Sequence, residues 1–150
     1  MSRSQKVILT NMCLIEDNKG RIVMQIRDPK RYSWSGAALP GDILKKENAL
    51  VREVHEETGL TISNPKLVGM KHWYTDEGIR YLVFLYKTYD FSGELQSSDE
   101  GDVVWIERSQ LDKIELAYDM LNLLRVFDED DISEMFYSKR LEDGFIRKFY

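Results

Sequence analysis

Several protein classes are excluded by what this sequence has little of. Its single cysteine, Cys13, rules out an internal disulfide framework, and its place in an apolar stretch reads as a small buried residue. There are two histidines, His55 and His72, and neither is followed by another four residues later, which excludes a zinc-protease helix. Basic residues are outnumbered 21 to 26, and a net charge of −5 leaves no surplus for the broad basic face that a nucleic acid polymer requires. No long apolar run is present either. The stretch Val7 to Ile15 contains Thr10 and Asn11, lacks the small-residue cleavage pattern of a leader, and is far too short to cross a bilayer. A reducing, cytoplasmic address with no membrane partner is the expectation. No internal repeat or low-complexity tract appears.

What is present has the composition of an ordinary globular protein: 150 residues, 43% hydrophobic and 31% charged, enough for one domain with a real core. Val7 to Ile15 and Arg21 to Arg27 read as strands of one hairpin closed by Asp17-Asn18-Lys19-Gly20, with Ile22, Met24 and Ile26 sharing a face. Pro29 to Gly36 reads as a loop. Lys66 to Tyr74 and Arg80 to Tyr89 read as two further strands around Asp76-Glu77-Gly78, and Asp102 to Glu107 as another. Glu115 to Phe127 carries apolar residues at helical spacing. The segment 128–150 mixes charge with Phe136, Tyr137, Phe145, Ile146 and Phe149, so a C-terminal extension packed on the domain is expected. Helices flanking a mixed sheet suggest an α/β/α sandwich.

The most informative stretch is Arg52-Glu53-Val54-His55-Glu56-Glu57-Thr58-Gly59-Leu60. Gly59 is placed to end a helix in the left-handed conformation. At about 100° per residue, Glu56 and Glu57 lie roughly 60° and 40° to either side of Glu53, so the three carboxylates form one stripe. Leu50, Val51 and Val54 fall on the flank turned away, which predicts apolar burial on one side and acid on the other. Two carboxylates about 6 Å apart repel by roughly 3 kcal/mol at an effective dielectric near 20, a cost that a bound cation removes. Oxygen ligands of this kind suit Mg²⁺ or Mn²⁺. A solvated acidic face, with Arg52 and Glu56 as an i,i+4 pair, explains the charge spacing equally well.

The order of residue types in this stretch resembles the second half of the Nudix hydrolase signature, Arg-Glu-apolar-any-Glu-Glu-any-Gly-apolar, and Leu39-Pro40-Gly41 resembles the loop that begins that signature. Gly41 and Glu47 keep the family's spacing from glycine to glutamate. In the family seven residues separate that glutamate from the arginine; here only Asn48 to Val51 do, and the family's second loop glycine is either replaced by Asp42 or deleted. Asp42 or Asn48 could cap the helix, and Glu47 is turned away from the Glu53 stripe by the shorter spacing. A shortened loop and helix start around an intact metal stripe is expected. The resemblance covers Val7 to about Phe127.

The resemblance implies a Nudix-type α/β/α fold with a mixed sheet and hydrolysis of a nucleotide diphosphate linkage with Mg²⁺, Mn²⁺ being an alternative. It implies that Glu53, Glu56 and Glu57 hold metal, with Glu53 or a loop carboxylate as general base, Arg52 orienting the glutamates, and the carbonyl of Gly41 adding a ligand. Ser97-Ser98-Asp99-Glu100-Gly101 resembles the loop from which related enzymes deliver a further glutamate, which makes Glu100 a candidate catalytic and metal-binding residue. Arg27 is a candidate phosphate contact. Trp34 before Gly36, and Asp119 in Tyr118-Asp119-Met120, resemble base-binding positions of MutT-like enzymes that act on oxidised purine triphosphates such as 8-oxo-dGTP. The alternatives are a hydrolase of ADP-ribose or another nucleoside diphosphate derivative, and a nucleotide-binding module whose turnover was lost with the three residues.

Overall fold

The computed structural model describes residues 3–30, 35–44 and 49–150, so Trp34 and Glu47 lie outside the described residues. The elements run β1 (Val7–Ile15), β2 (Arg21–Arg27), β3 (Gly36–Ala38), α1 (Ala49–Thr58), β4 (Thr61–Ser63), β5 (Lys66–Tyr74), β6 (Arg80–Thr88), β7 (Asp90–Ser92) and β8 (Gly101–Glu107). After a 3-10 turn at Arg108–Lys113 come α2 (Met120–Asp128), β9 (Glu134–Leu141) and β10 (Gly144–Phe149).

A mixed sheet in the order β1-β6-β5-β9-β10 is the largest, a smaller sheet has the order β3-β2-β8, and β4 and β7 pair as a third. In the larger sheet β1 runs parallel to β6 and β5 parallel to β9, while β5 and β6 form the antiparallel pair expected around Asp76-Glu77-Gly78. The side chains of β1 explain the layering. Cys13 and Ile15 pack with Val54 and Leu60 at the end of α1, whereas Leu14 joins Leu123 and Leu124 of α2. Strand β2 divides its side chains in the same way, Val23 toward the α1 cluster and Ile22 and Met24 toward the α2 cluster. Alternating side chains of one strand thus serve two cores with a helix on each, which is the α/β/α arrangement expected.

Two expectations about pairing and limits need correction. β1 and β2 are both strands, and the turn between them is built as expected, Asp17 accepting from the backbone N–H of Lys19 and Arg21. They do not form a hairpin ladder. β1 uses one edge for β6, and its other edge is occupied by the segment after β3, through Asn11 N–H to Asp42 O at 3.0 Å, Cys13 N–H to Pro40 O at 2.9 Å and Leu44 N–H to Leu9 O at 2.9 Å. β2 likewise has both edges filled, by β3 and β8. With both backbone edges satisfied elsewhere, the two strands are joined at their turn end, among the described residues, by the bridge Glu16 to Ile22 and the Asp17 N–H to Arg21 O bond.

The second helix starts at Met120 rather than Glu115. Residues 115–117 instead run beside β3, Ala37 N–H donating to Glu115 O and Ala117 N–H to Ala37 O, both at 2.9 Å. Gly36 permits this approach: a Cβ there would lie 2.6 Å from the carbonyl carbon of Leu116. The C-terminal segment packs against the domain by forming the antiparallel pair β9–β10 and adding it to the edge of the larger sheet against β5.

Candidate functional site

Helix α1 buries its acid stripe. Glu53 and Glu57 are each only 4% exposed, while Glu56 has a side chain 64% exposed and lies 3.6 Å from Arg52. Helix geometry accounts for the division. The buried direction passes among Ala49, Glu53, Val54, Glu57 and Thr58, and Glu56 lies roughly 100° from the middle of that set. The expectation that acid would lie on one side and burial on the other is therefore corrected: two of the three glutamates point inward, and Val51 is exposed. His55 is exposed, as its unconstrained position suggested.

What meets Glu57 comes from two loops. Gly41 donates its backbone N–H to Oε2 of Glu57 at 3.2 Å, and carboxylate oxygens of Asp42, Glu57 and Glu100 lie within 4.8 Å of one another. Asp42 is held by the backbone bonds that fasten 40–44 to β1, and its own N–H donates to Oδ1 of Asn11 at 3.4 Å. The same asparagine turns its Nδ2 to Oε2 of Glu53, also at 3.4 Å. Glu100 is delivered by the tight turn Ser98–Gly101, closed by reciprocal backbone bonds of 3.3 and 3.2 Å. Gly101 then starts β8 opposite Arg27, so close that a Cβ on it would sit 2.4 Å from Ile26 O.

The electrostatics follow from this grouping. Burial, then the negative charges of Glu100 and Asp42, push the carboxyl of Glu57 up to about 8, against the opposing pull of Arg27 and the Gly41 N–H. Oε1 of Glu57 is buried with no hydrogen-bond partner among the described residues. An orphaned carboxylate oxygen facing two further carboxylates is the donor set that a hard divalent cation satisfies, so the residues present fit such an ion. Cys13 takes no part; it is fully buried, and burial pushes its thiol up to about 12.

Beside the carboxylates opens a cleft of about 800 Å³. Asn11, Arg27, Gly41 and Asp42 line the end near the acid cluster. Aromatic residues dominate elsewhere: Trp73 stacks on Tyr81 with centroids 4.5 Å apart, and Tyr137 stacks on Phe145 at 4.7 Å, so the β9–β10 pair supplies part of the wall. Tyr118 and Met120 line the cleft, and Asp119 between them is engaged by neighbouring side chains. Its carboxylate, 5% exposed, accepts from Tyr137 Oη at 2.8 Å, Arg147 Nε at 2.7 Å and Asn122 Nδ2 at 2.7 Å. Burial acts to raise the pKa of Asp119, and these three donors outweigh it and lower it.

The structure therefore gathers Glu57, Glu100 and Gly41 at one point, keeps Glu53 and Arg27 beside it, leaves Arg52 and Glu56 on the solvent side, and ties Asp119 into a wall. The reading of the sequence considered Asp42 only as a helix cap and did not place it with the carboxylates. A carboxylate next to the loop glycine was the available signal.

Comparison with known proteins agrees with this geometry. The pattern of the NUDIX domain matches residues 8–127. An uncharacterized Nudix hydrolase, YvcI of Bacillus subtilis, is 26% identical over 117 residues, 73% of this chain and 71% of the relative. Among solved structures, a mutator MutT protein from Bacillus halodurans superposes with a TM-score of 0.75 at 20% identity, over 95% of this chain and 97% of that one. The NUDIX domain of Shewanella oneidensis NrtR, complexed with ADP ribose, gives 0.65 at 15% identity, over 85% and 89%. At these identities the two structures speak for the fold alone.

Proposed function

That this chain belongs to the Nudix family is the premise from which we propose its reaction: divalent-metal-dependent hydrolysis of a nucleoside triphosphate, with oxidised purines such as 8-oxo-dGTP among the substrates, to the monophosphate and pyrophosphate. The observation that carries the reading is the meeting of Asp42, Glu57 and Glu100 beside a cleft that Asp42 itself lines.

In this reading Asp42, Glu57 and Glu100 would hold Mg²⁺, Mn²⁺ being an alternative, and Gly41 fixes the orientation of Glu57 through its N–H. When bound, the cation neutralises phosphate charge and makes a water more acidic. Arg27, at the end of β2 and lining the same cleft, faces the diphosphate and offsets its negative charge. Glu53, steadied by Asn11, stands behind Glu57 one helical turn away, in position to take the proton released in hydrolysis. The rings of Trp73, Tyr81, Tyr137 and Phe145 receive the base, and Asp119 holds Tyr137 and the β10 strand in place rather than touching substrate. Arg52 and Glu56 shape the outer face of α1.

A panel of nucleoside triphosphates, 8-oxo-dGTP and ADP-ribose, run with Mg²⁺ and product identification beside Glu57→Gln, tests the proposal. Release of pyrophosphate by the native protein and not by the variant supports it. Cleavage of ADP-ribose alone moves the substrate to the diphosphate class, and binding without any cleavage makes the protein a nucleotide-binding module.

A further inference from the structure

Three cationic side chains line the cleft; Arg27 lies by the carboxylates and Arg140 is paired with Asp76, which leaves Lys71 among the rings. Lys71, on β5, points to the same side of the strand as Trp73, and its Nζ lies 5.3 Å from the Trp73 ring centre and 5.1 Å from that of Tyr137. Among the described residues it makes no hydrogen bond or ion pair; the ring faces are its contacts. The nearest anionic side chain acting on it is Asp119, whose oxygens are already engaged by Tyr137, Arg147 and Asn122. Burial pulls its ammonium down to about 8, with Asp119 opposing. A desolvated group with three donors and no acceptor is costly unless something brings acceptors to it.

We propose that Lys71 is the residue that selects the base, donating to the carbonyl oxygen of a 6-oxopurine held among Trp73, Tyr81, Tyr137 and Phe145. A 6-oxopurine carries O6 and N7 as adjacent acceptors on one edge, whereas adenine puts an amino donor beside N7 and so opposes two sets of N–H protons. Lysine cannot rearrange to accept, so the discrimination has a fixed sign. A phosphate is the less suitable occupant, because Arg27 and the carboxylate cluster lie together elsewhere along the same cleft. The inference rests on the reading of the cleft as a nucleotide site and adds the residue that discriminates between bases.

The test measures binding of inosine, guanosine and adenosine 5′-monophosphates with saturating Mg²⁺. None has a diphosphate linkage, so affinity is read without turnover. Native protein is expected to bind the two oxopurines about tenfold more tightly than adenosine monophosphate, the factor expected of one well-placed hydrogen bond of about 1.4 kcal/mol. Lys71→Met, which keeps the stem and removes the donors, should bring the ratio to about one with an unchanged or higher melting temperature. Lys71→Arg should keep the preference and guards against a folding failure in the first variant. Equal weakening of all three nucleotides by Lys71→Met, no preference in the native protein, or no binding at all would overturn the assignment. Diphosphate hydrolysis is assayed separately: Lys71-dependent oxopurine binding without hydrolysis leaves this inference standing and removes the proposed reaction, while hydrolysis indifferent to Lys71 does the reverse.

Discussion

The backbone N–H of Gly41 and Oε2 of Glu57 are joined across 3.2 Å, linking the loop after β3 to the last turn of the acid helix. One oxygen of Glu57 is thereby committed to orientation, and Oε1 is left for a ligand. The join depends on the absence of a side chain at position 41, where a Cβ would lie 2.1 Å from Asn11 O and 2.9 Å from the Met12 Cα, both backbone atoms of β1. Gly41→Ala must therefore push the loop off β1. We expect hydrolysis to fall by about a hundredfold, the order of loss that a 1 Å misplacement brings. Stability should fall by only about 1–3 kcal/mol, the usual cost of overpacking. Steady-state rates beside urea melts check the separation, and native activity in this variant would show that the Gly41 contact is dispensable.

Asp42 stands within the carboxylate group. Asp42→Asn keeps the shape and removes a charge. The affinity for Mg²⁺, followed as the metal-dependent rise in melting temperature, should weaken by about ten- to a hundredfold. An unchanged titration would remove Asp42 from the proposed ligand set.

Asp119 is expected to matter to the fold first. Asp119→Ala leaves the donors of Tyr137, Asn122 and Arg147 without their acceptor, a loss of about 2–4 kcal/mol. Denaturant unfolding measures it. Since the native carboxylate has a lowered pKa, its contribution is present above the unfolded value and is lost as acid protonates it below about pH 4. A variant as stable as the native protein but altered in base preference would instead restore Asp119 as a reader.

Much of this was legible in the residue order, and the exceptions have physical causes. The limits of β1, β2, β5 and β6 followed from apolar runs bounded by turn residues, and Asp17 and Gly20 marked their turn. Partner choice did not follow, because β1 and β2 read as neighbours until the segment 40–44 is seen to occupy β1's outer edge. The carboxylate stripe was legible as a helical period, but not its direction: a stripe facing a neighbouring loop and one facing solvent have the same spacing. Asp42, Glu57 and Glu100 come together across three separate elements, so no local pattern could join them. Leu116 shows the same limit from the other side, since apolar helical spacing at 115–119 yielded to pairing with β3.

The raised pKa of Glu57 makes metal binding depend on pH. Between about 4.5 and 8 the unfolded chain ionises this group while the metal-free folded protein keeps it protonated, so metal-free stability falls as pH rises through that window. A cation displaces the proton more readily at the upper end. The Mg²⁺-induced rise in melting temperature should therefore be larger at pH 8.5 than at pH 6.5, and chelation with EDTA should abolish it at both. A shift independent of pH would contradict the coupling.

The central claim is that the carboxylates around Glu57 hold a divalent cation against a nucleotide diphosphate, and calorimetric titration of Mn²⁺ into native protein and Glu57→Gln, with pyrophosphate release measured on the same samples, tests it most directly. The account predicts one saturable site in the native protein, its loss in the variant, and at least a hundredfold loss of pyrophosphate release alongside it. Equal metal affinity and equal release in the two proteins would contradict it.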